Sequence, residues 1–232
     1  MIVEVKGKIN DDDSSGTATV VNFDDSVEGP VTSIDPDTLA IEVLGQSVII
    51  YAQTVFDNTS FSPADISGVA IGDVVEVSGQ LDAQGNITAS HIEKTSSPVF
   101  ELTGLVSNRT ASIFTINNLT VDYSSAILED FSGGTIQNGD FVEVKGSTFD
   151  DVATTLTATR VENKNQNFDD DLEIEIESFV TALTPNGFIL LTPSGPIGVV
   201  VDSATEYFGG TLSDILVGTK VEVEGSIING NM

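Results

Sequence analysis

Apolar residues alternate with charged or small polar residues along most of the chain, in short runs that end at glycine, aspartate or asparagine. This period of two predicts β-strands that turn one face to a core and the other to solvent. The clearest run, residues 71–79, reads IGDVVEVSG. A Gly-Asp turn leads into the strand, and the closing glycine lets the strand bend or bulge.

The same run occurs four times. Residues 138–146 read NGDFVEVKG, residues 217–225 read VGTKVEVEG, and a clipped copy, IVEVKG, lies at residues 2–7. Successive copies are roughly 70 residues apart. Internal repetition at this interval predicts several small folding units in tandem.

Each unit has the pattern of five short strands with one helical turn between the third and the fourth. That order is typical of the OB fold, a small Greek-key barrel, although tandem β-sandwich modules would give nearly the same pattern. In the first complete unit, Ser62 and Pro63 predict the start of the helical turn. We therefore expect an all-β chain of small five-stranded OB-like barrels, arranged as beads on a string.

The predicted units have these bounds: residues 1–25, the last two strands of a truncated repeat; 26–96, repeat A; 97–164, repeat B; 165–171, an acidic linker; and 172–232, repeat C. Repeat C lacks the pattern of a fifth strand. One interpretation is a fragment of a longer array. The other is strand complementation, within one chain or between copies, in which Thr17, Thr19, Val21 and Phe23 complete repeat C.

Acidic residues dominate the charge of the chain. Its 36 Asp and Glu against 8 Lys and Arg give a formal net charge of −28, which repels nucleic acids and anionic lipids. There is no cysteine, so disulfides and thiolate metal sites are excluded. No apolar run approaches the ~18 residues of a membrane span. No signal peptide opens the chain, so we expect any such signal to lie outside it.

Calcium is the one cofactor that the sequence suggests. Asp11, Asp13 and Ser15 place oxygen atoms at alternate positions, as in the opening of a calcium loop. The twelfth position, where such a loop has a bidentate Glu, is Asn22. Further carboxylate clusters are Asp150 with Asp151, and Asp169 with Asp170 and Asp171. The alternative is that all of these are solvated acidic turns.

No residue pattern indicates an enzyme. His91 is the single histidine, and no Gly-x-Ser-x-Gly motif accompanies it. Glu76 and Glu143 recur at the same place in their repeats, so we expect them to face solvent beside lysines such as Lys145 rather than to form a glycosidase pair.

Carbohydrate binding is an alternative, because OB-like barrels often bind sugars on one face. Such sites use tryptophan and tyrosine platforms. The chain has no tryptophan, and its three tyrosines are Tyr51, Tyr123 and Tyr207.

The repeats resemble the domain-of-unknown-function 5666 family of bacterial modules. The resemblance rests on the opening GPVTSI at residues 29–34, on the Gly-Asp-x-Val-Glu-Val-x-Gly motif at 72–79 and 139–146, and on the closing ITASHIE at 87–93. Repeat C departs from it at Thr219 and Lys220. The resemblance implies tandem modules of exported proteins and brings no catalytic residues.

Together these patterns predict a non-enzymatic structural or interaction module of the bacterial cell envelope or the extracellular space, acting in spacing, adhesion or assembly. Its expected partners are copies of itself or neighbouring repeats. A filament built by strand complementation is the most specific form of this prediction. The alternatives are a carbohydrate- or small-ligand-binding module and a calcium-stabilised surface protein.

Overall fold

A computed structural model of the chain describes residues 3–9, 16–23, 25–82, 84–164, 173–192, 195–226 and 232. Over these residues the protein is built from strands and single turns of 3-10 helix, which confirms the all-β prediction. The strands are β1 Val3–Ile9, β2 Gly16–Phe23, β3 Val27–Asp35, β4 Ala40–Val43, β5 Gln46–Ile49, β6 Val55–Phe56, β7 Val74–Leu81, β8 Ile87–Lys94, β9 Phe100–Leu105, β10 Ile113–Ile116, β11 Leu119–Asp122, β12 Ile127–Glu129, β13 Phe141–Asp150, β14 Thr155–Asn163, β15 Glu173–Thr184, β16 Gly187–Thr192, β17 Gly195–Val200 and β18 Lys220–Ser226.

Repeat A is a closed barrel of five strands. β3 pairs with β4, and β4 with β5, both antiparallel. β5 runs parallel to β8, which returns through β7 to β3. The 3-10 helix Ile66–Gly68 lies between the third and fourth barrel strands. It starts after the predicted Ser62, because the Asp65 carboxylate accepts the Ser67 backbone N–H at 2.8 Å and caps the turn there.

Repeat B has the same order. β9, β13, β14, β11 and β10 are joined in sequence, and a bridge between Ser107 and Thr115 closes the ring. Its 3-10 helix, Ser132–Gly134, again precedes the fourth barrel strand.

The glycine that ends each Val-Glu-Val motif marks a β-bulge. The register of the fourth and fifth strands shifts between Ser78 and Gly79, and again between Lys145 and Gly146. The β1–β2 hairpin shifts at the equivalent position, between Lys6 and Gly7. The hairpin is therefore the structural equivalent of β7–β8 and β13–β14.

Repeats A and B are joined more closely than beads on a string. Val27 and Glu28 of β3 pair with Leu102 and Glu101 of β9, so that one sheet of twelve strands runs through both repeats. Their buried apolar side chains belong to one continuous cluster. At Val27 and Glu28, one edge of β3 pairs with β7 of the same barrel. The other edge of β3 is not used by its own barrel here, so it can pair with β9 of repeat B.

A pair of side-chain amides also links the two repeats. Gln46, at the start of β5, donates from Nε2 to the Ile116 carbonyl at 3.2 Å. Its Oε1 accepts from Nδ2 of Asn117 at 2.8 Å, and Asn117 donates to the Gly85 carbonyl at 3.0 Å. Gln46 is almost fully buried. These bonds connect hairpin turns of the two barrels.

We expect Gln46→Ala to lower the free energy of unfolding of the A–B pair by roughly 1–3 kcal/mol, because it removes the Gln46 donor from the buried Ile116 carbonyl and one of the two hydrogen bonds of the Asn117 amide. Urea unfolding followed by circular dichroism measures the loss. Gln84→Ala, at an exposed turn, is the matched control. An unchanged unfolding midpoint for Gln46→Ala would contradict a structural role for the amide pair.

The described part of repeat C contains four strands, in the order β17-β16-β15-β18, and the 3-10 helix Leu212–Asp214. Its core is a separate, smaller cluster that includes Val180, Phe188 and Leu190. Gln80 of repeat A donates to the Glu177 carbonyl of repeat C at 3.4 Å. The predicted acidic linker, residues 165–171, lies outside the described residues.

Candidate functional site: the open side of repeat C

Repeat C has a gap where the other two barrels have their fifth strand. β17 and β18 stand at the two ends of the four-stranded sheet. In repeats A and B the fifth strand, β8 or β14, lies between the third and fourth strands of the barrel and pairs with both. Among the described residues, repeat C has no strand in this place. Two strand edges therefore border the gap.

Met232 lies at the mouth of this gap, at the position of the first core residue of a fifth strand. Its backbone N–H donates to the Gly198 carbonyl at 2.8 Å, and its carbonyl accepts the Val200 N–H at 2.7 Å. This is the hydrogen bonding of one residue of a parallel strand beside β17. Ile87 and Leu156, the first core residues of β8 and β14, pair with their third strands in the same way. The Met232 side chain is buried in the core of repeat C.

In repeat A the fifth strand covers a pair of aromatic side chains. Phe56 pairs with Ile92 of β8, and Phe61 packs edge-on against Phe56 with ring centroids 5.4 Å apart. Lys94 of β8 lies 5.0 Å above the Phe61 ring. As a result Phe61 is only 2% exposed. Phe131 is likewise packed against the core in repeat B.

The corresponding aromatic residues of repeat C are uncovered. Phe208 stands between the third strand and the 3-10 helix, as Phe61 and Phe131 do, but it is 90% exposed. The surrounding residues are also large, apolar and exposed: Val200, Tyr207, Leu212, Leu216 and Val217. Several large apolar side chains exposed within one part of a strongly acidic protein are characteristic of an interaction site.

The β1–β2 hairpin and β18 show the same incomplete burial. Ala89 and Ala158, in the fifth strands of repeats A and B, are buried, whereas the equivalent Ala18 of β2 is exposed. The valines of β7 and β13 are mostly buried, whereas those of β18, Val221 and Val223, are half-buried. Residues with core character are therefore partly exposed at both ends of the chain.

Two of the predicted calcium ligands lie in the described part of the chain. Asp150 and Asp151 are exposed in the β13–β14 turn, where the Asp150 carboxylate accepts the backbone N–H groups of Val152 and Ala153 at 3.0 Å each. The described residues contain no group of three or more His, Asp or Glu side chains that could hold a metal ion. The other predicted ligands, Asp11, Asp13, Ser15, Asp169, Asp170 and Asp171, lie outside the described residues.

A network of acidic and basic side chains covers the junction of repeats A and B. Lys145 binds Glu101 at 2.7 Å and Glu143 at 3.2 Å, and Lys164 binds Glu143 at 3.3 Å. Glu143 is 8% exposed, so the expectation that it faces solvent is wrong. It lies beside Lys145 as expected, because the A–B junction covers the strand that carries both.

The network gives its two central glutamates opposite properties. Burial raises the pKa of Glu101 to about 7, despite the nearby Lys145. The pKa of Glu143 is lowered, because two lysines outweigh its desolvation. Burial also raises the pKa of Glu28, which pairs across strands with both Glu76 and Glu101. This row of carboxylates lies at a repeat junction, where ion pairs with Lys145 and Lys164 support the structure. Glu143 and Lys164 also line a narrow cleft with Gly79, Thr103 and Leu191.

The aromatic residues do not form one sugar platform. Tyr123 is buried and donates its hydroxyl to the Thr110 carbonyl, while Tyr51 and Tyr207 lie on different repeats. His91 is half-buried on β8, in keeping with the expected strand position. None of the 3-10 helical turns in the described ranges is long and apolar enough to cross a membrane.

A model of the domain of unknown function (DUF5666) matches the chain in three tandem segments, residues 28–93, 103–162 and 177–232. The chain belongs to the DUF5666 family. Each DUF5666 segment lies inside one of the predicted repeats, and the third ends at Met232, the residue beside β17. No curated protein sequence matches the chain.

Sequence reasoning missed three parts of this site. Phe208 has the same local sequence character as the core residue Phe61, so only the structure distinguishes the exposed side chain. Met232 has no strand pattern around it. Ala18 was passed over because strict alternation places Thr17 and Thr19 on one face, whereas the bulge at Gly7 makes Ala18 and Val21 the equivalents of Ala89 and Ile92.

Proposed function

We propose that this DUF5666 protein is a non-enzymatic structural module that assembles by accepting a β-strand into repeat C. The proposal rests mainly on one observation: the apolar surface around Phe208 lies where fifth strands cover repeats A and B. Two open strand edges supply backbone hydrogen bonds for the incoming strand, and the apolar surface supplies burial.

A location in the bacterial cell envelope or extracellular space is part of this proposal. Modules of this kind would act there as spacers or as subunits of an assembly. The absence of cysteine and the net charge of −28 favour a passive, soluble surface over thiol chemistry or nucleic-acid binding.

Extending the chain tests the acceptor role directly. We expect a copy of residues 88–94, TASHIEK, placed directly after Met232, to close repeat C as β8 closes repeat A. The extended protein should show a higher melting temperature for repeat C and protection of the β17 and β18 amides from hydrogen exchange. An extension with the same seven residues in scrambled order is the control. Equal stability and equal exchange in the two proteins would exclude an acceptor site in repeat C.

A small-ligand site is the second candidate, and one observation favours it. Leu183, Pro185, Phe188, Leu212 and Ile215 line an open groove of about 320 Å³ on repeat C. The size and the apolar lining suit a small ligand. Saturating binding of a hydrophobic dye that the seven-residue extension leaves unchanged would favour this alternative.

A further inference from the structure

We infer that the strand that fills repeat C is β2 of a second copy of the chain, which gives a head-to-tail assembly. The inference rests on the proposed acceptor role of repeat C and names its partner. In the assembled state β2 would pair with β18 of the neighbouring copy instead of with β1 of its own chain. β1 and β18 are equivalent strands, because both contain Val-Glu-Val-x-Gly.

The sequence of β2 fits the vacant positions. The fifth strands of repeats A and B contain Thr-Ala-Ser-His-Ile and Thr-Ala-Thr-Arg-Val, and residues 17–21 read Thr-Ala-Thr-Val-Val. Pairing within the hairpin places Ala18 opposite Gly7 and Val21 opposite Val5, as Ala89 and Ile92 lie opposite Gly79 and Val77. Beside β18, the same register puts Ala18 opposite Gly225 and Val21 opposite Val223.

β2 and repeat C complement each other at the first core position. Gly16 of β2 is equivalent to Ile87 and Leu156, so β2 brings no side chain to that place. In repeat C, Met232 already holds this position, hydrogen-bonded to β17 with its side chain in the core.

Charge favours β2 over the other fifth strands as the occupant. Its eight residues contain no charged side chain, although the chain has a net charge of −28. The acceptor strand β18 carries Glu222 and Glu224. In the register above these face Asn22 and Val20, whereas β8 would bring Glu93 opposite Glu222. A neutral strand avoids this repulsion between like charges across the pair.

The bulge glycine of β18 gives an acceptor variant. A Cβ atom at Gly79 or Gly146 would lie 2.6 or 2.4 Å from a carbonyl oxygen of the fifth strand. At Gly225 the nearest atom among the described residues is Met232 Cγ, at 3.5 Å. Gly225→Val should therefore fold as a monomer and refuse the incoming strand. Ala18→Asp is the donor variant, because it puts a charge at a core position.

The test is light scattering after size-exclusion chromatography, over a range of protein concentrations. The salt concentration is about 0.15 M or more, which shortens the Debye length to about 8 Å and weakens repulsion between the acidic chains. The unaltered chain should form dimers and larger species. Gly225→Val and Ala18→Asp should each be monomeric, and a mixture of the two should form only dimers, through the intact donor of one and the intact acceptor of the other. Gly210→Val and Gln84→Asp, both at exposed positions outside β2 and β18, are controls that should assemble.

A chain that stays monomeric throughout would overturn the inference, and so would assembly that both variants retain. The extension experiment separates the two proposals. If the extension stabilises repeat C but the unaltered chain never assembles, the acceptor site stands and β2 is not its partner. If the extension has no effect, both proposals fail.

Discussion

Replacing Gly79 or Gly146 by alanine is expected to lower the free energy of unfolding by roughly 2–4 kcal/mol, whereas the same change at Gly225 in the monomer should cost less than about 1 kcal/mol. The three glycines end the same motif, and none has a positive φ. The difference therefore comes from the neighbouring strand and not from the backbone conformation of the glycine.

The fifth strand makes glycine necessary at the bulge. A Cβ atom at Gly79 would lie 2.6 Å from the Thr88 carbonyl oxygen and 2.6 Å from Ile87 Cγ2. At Gly146 it would lie 2.4 Å from the Thr157 carbonyl oxygen. Backbone atoms of a paired strand cannot move aside without breaking the ladder, so the strain must be shared by the whole barrel. At Gly225 the new methyl group would make ordinary contacts.

Urea unfolding of the three variants at low protein concentration measures these costs, with Gly210→Ala as an exposed control. The m-value should stay constant if the folded and unfolded states are otherwise unchanged. An equal loss at Gly225 would show that repeat C contains a fifth strand in solution under these conditions. The ranking of the three sites is thus a direct measure of how open repeat C is.

Much of the fold follows from local pattern. The alternation of apolar and polar residues, the Gly-Asp turns and the recurring Val-Glu-Val-x-Gly motif are properties of single strands and turns, so the sequence displays them. The bulge at Gly79 could also be expected, because glycine inside a strand pattern indicates one. These signals are enough to predict small all-β repeats.

The features that define the candidate site are not local. Phe208 and Phe61 differ in exposure only because a strand distant in sequence covers one of them. The pairing of Glu28 with Glu101, which fuses repeats A and B, depends on which edge of β3 remains open. The assembled barrel determines which strand edges remain unpaired and which side chains another strand covers. The alternation of apolar and polar residues along one strand does not predict either property.

The A–B unit is expected to gain stability as the pH falls from 8 to about 5. Burial raises the pKa of Glu101 from 4.5 to about 7, and it also raises the pKa values of Glu28 and Glu76. A group whose pKa is raised by folding contributes stability that is fully present below its unfolded pKa. That contribution is lost as the pH rises through the folded pKa, which for Glu101 is about 7.

Other carboxylates set the acid limit. The lysine contacts of Glu143 and Asp73 leave their pKa values below the ordinary range, so their contribution is present at neutral pH and is lost as the pH falls through their folded values. Stability should therefore pass through a maximum between about pH 4.5 and pH 6 and decline on both sides. Protonation also reduces the net charge, which acts in the same direction above the maximum.

Glu101→Gln isolates the largest of these contributions. Glutamine keeps the shape of the protonated side chain, so the variant should match the unaltered protein near pH 5 and exceed it at pH 8, by at most roughly 3 kcal/mol for a displacement of this size. Thermal unfolding between pH 5 and pH 8 at fixed salt gives the two profiles. Glu129→Gln, whose carboxylate is 40% exposed beside Arg160, should keep the pH dependence of the unaltered protein. If the slope between pH 5 and pH 8 survives in Glu101→Gln, the proton is held elsewhere in the network. Glu28 and Glu76 are then its next most favourable position, because burial raises the pKa values of both and the two residues pair across neighbouring strands.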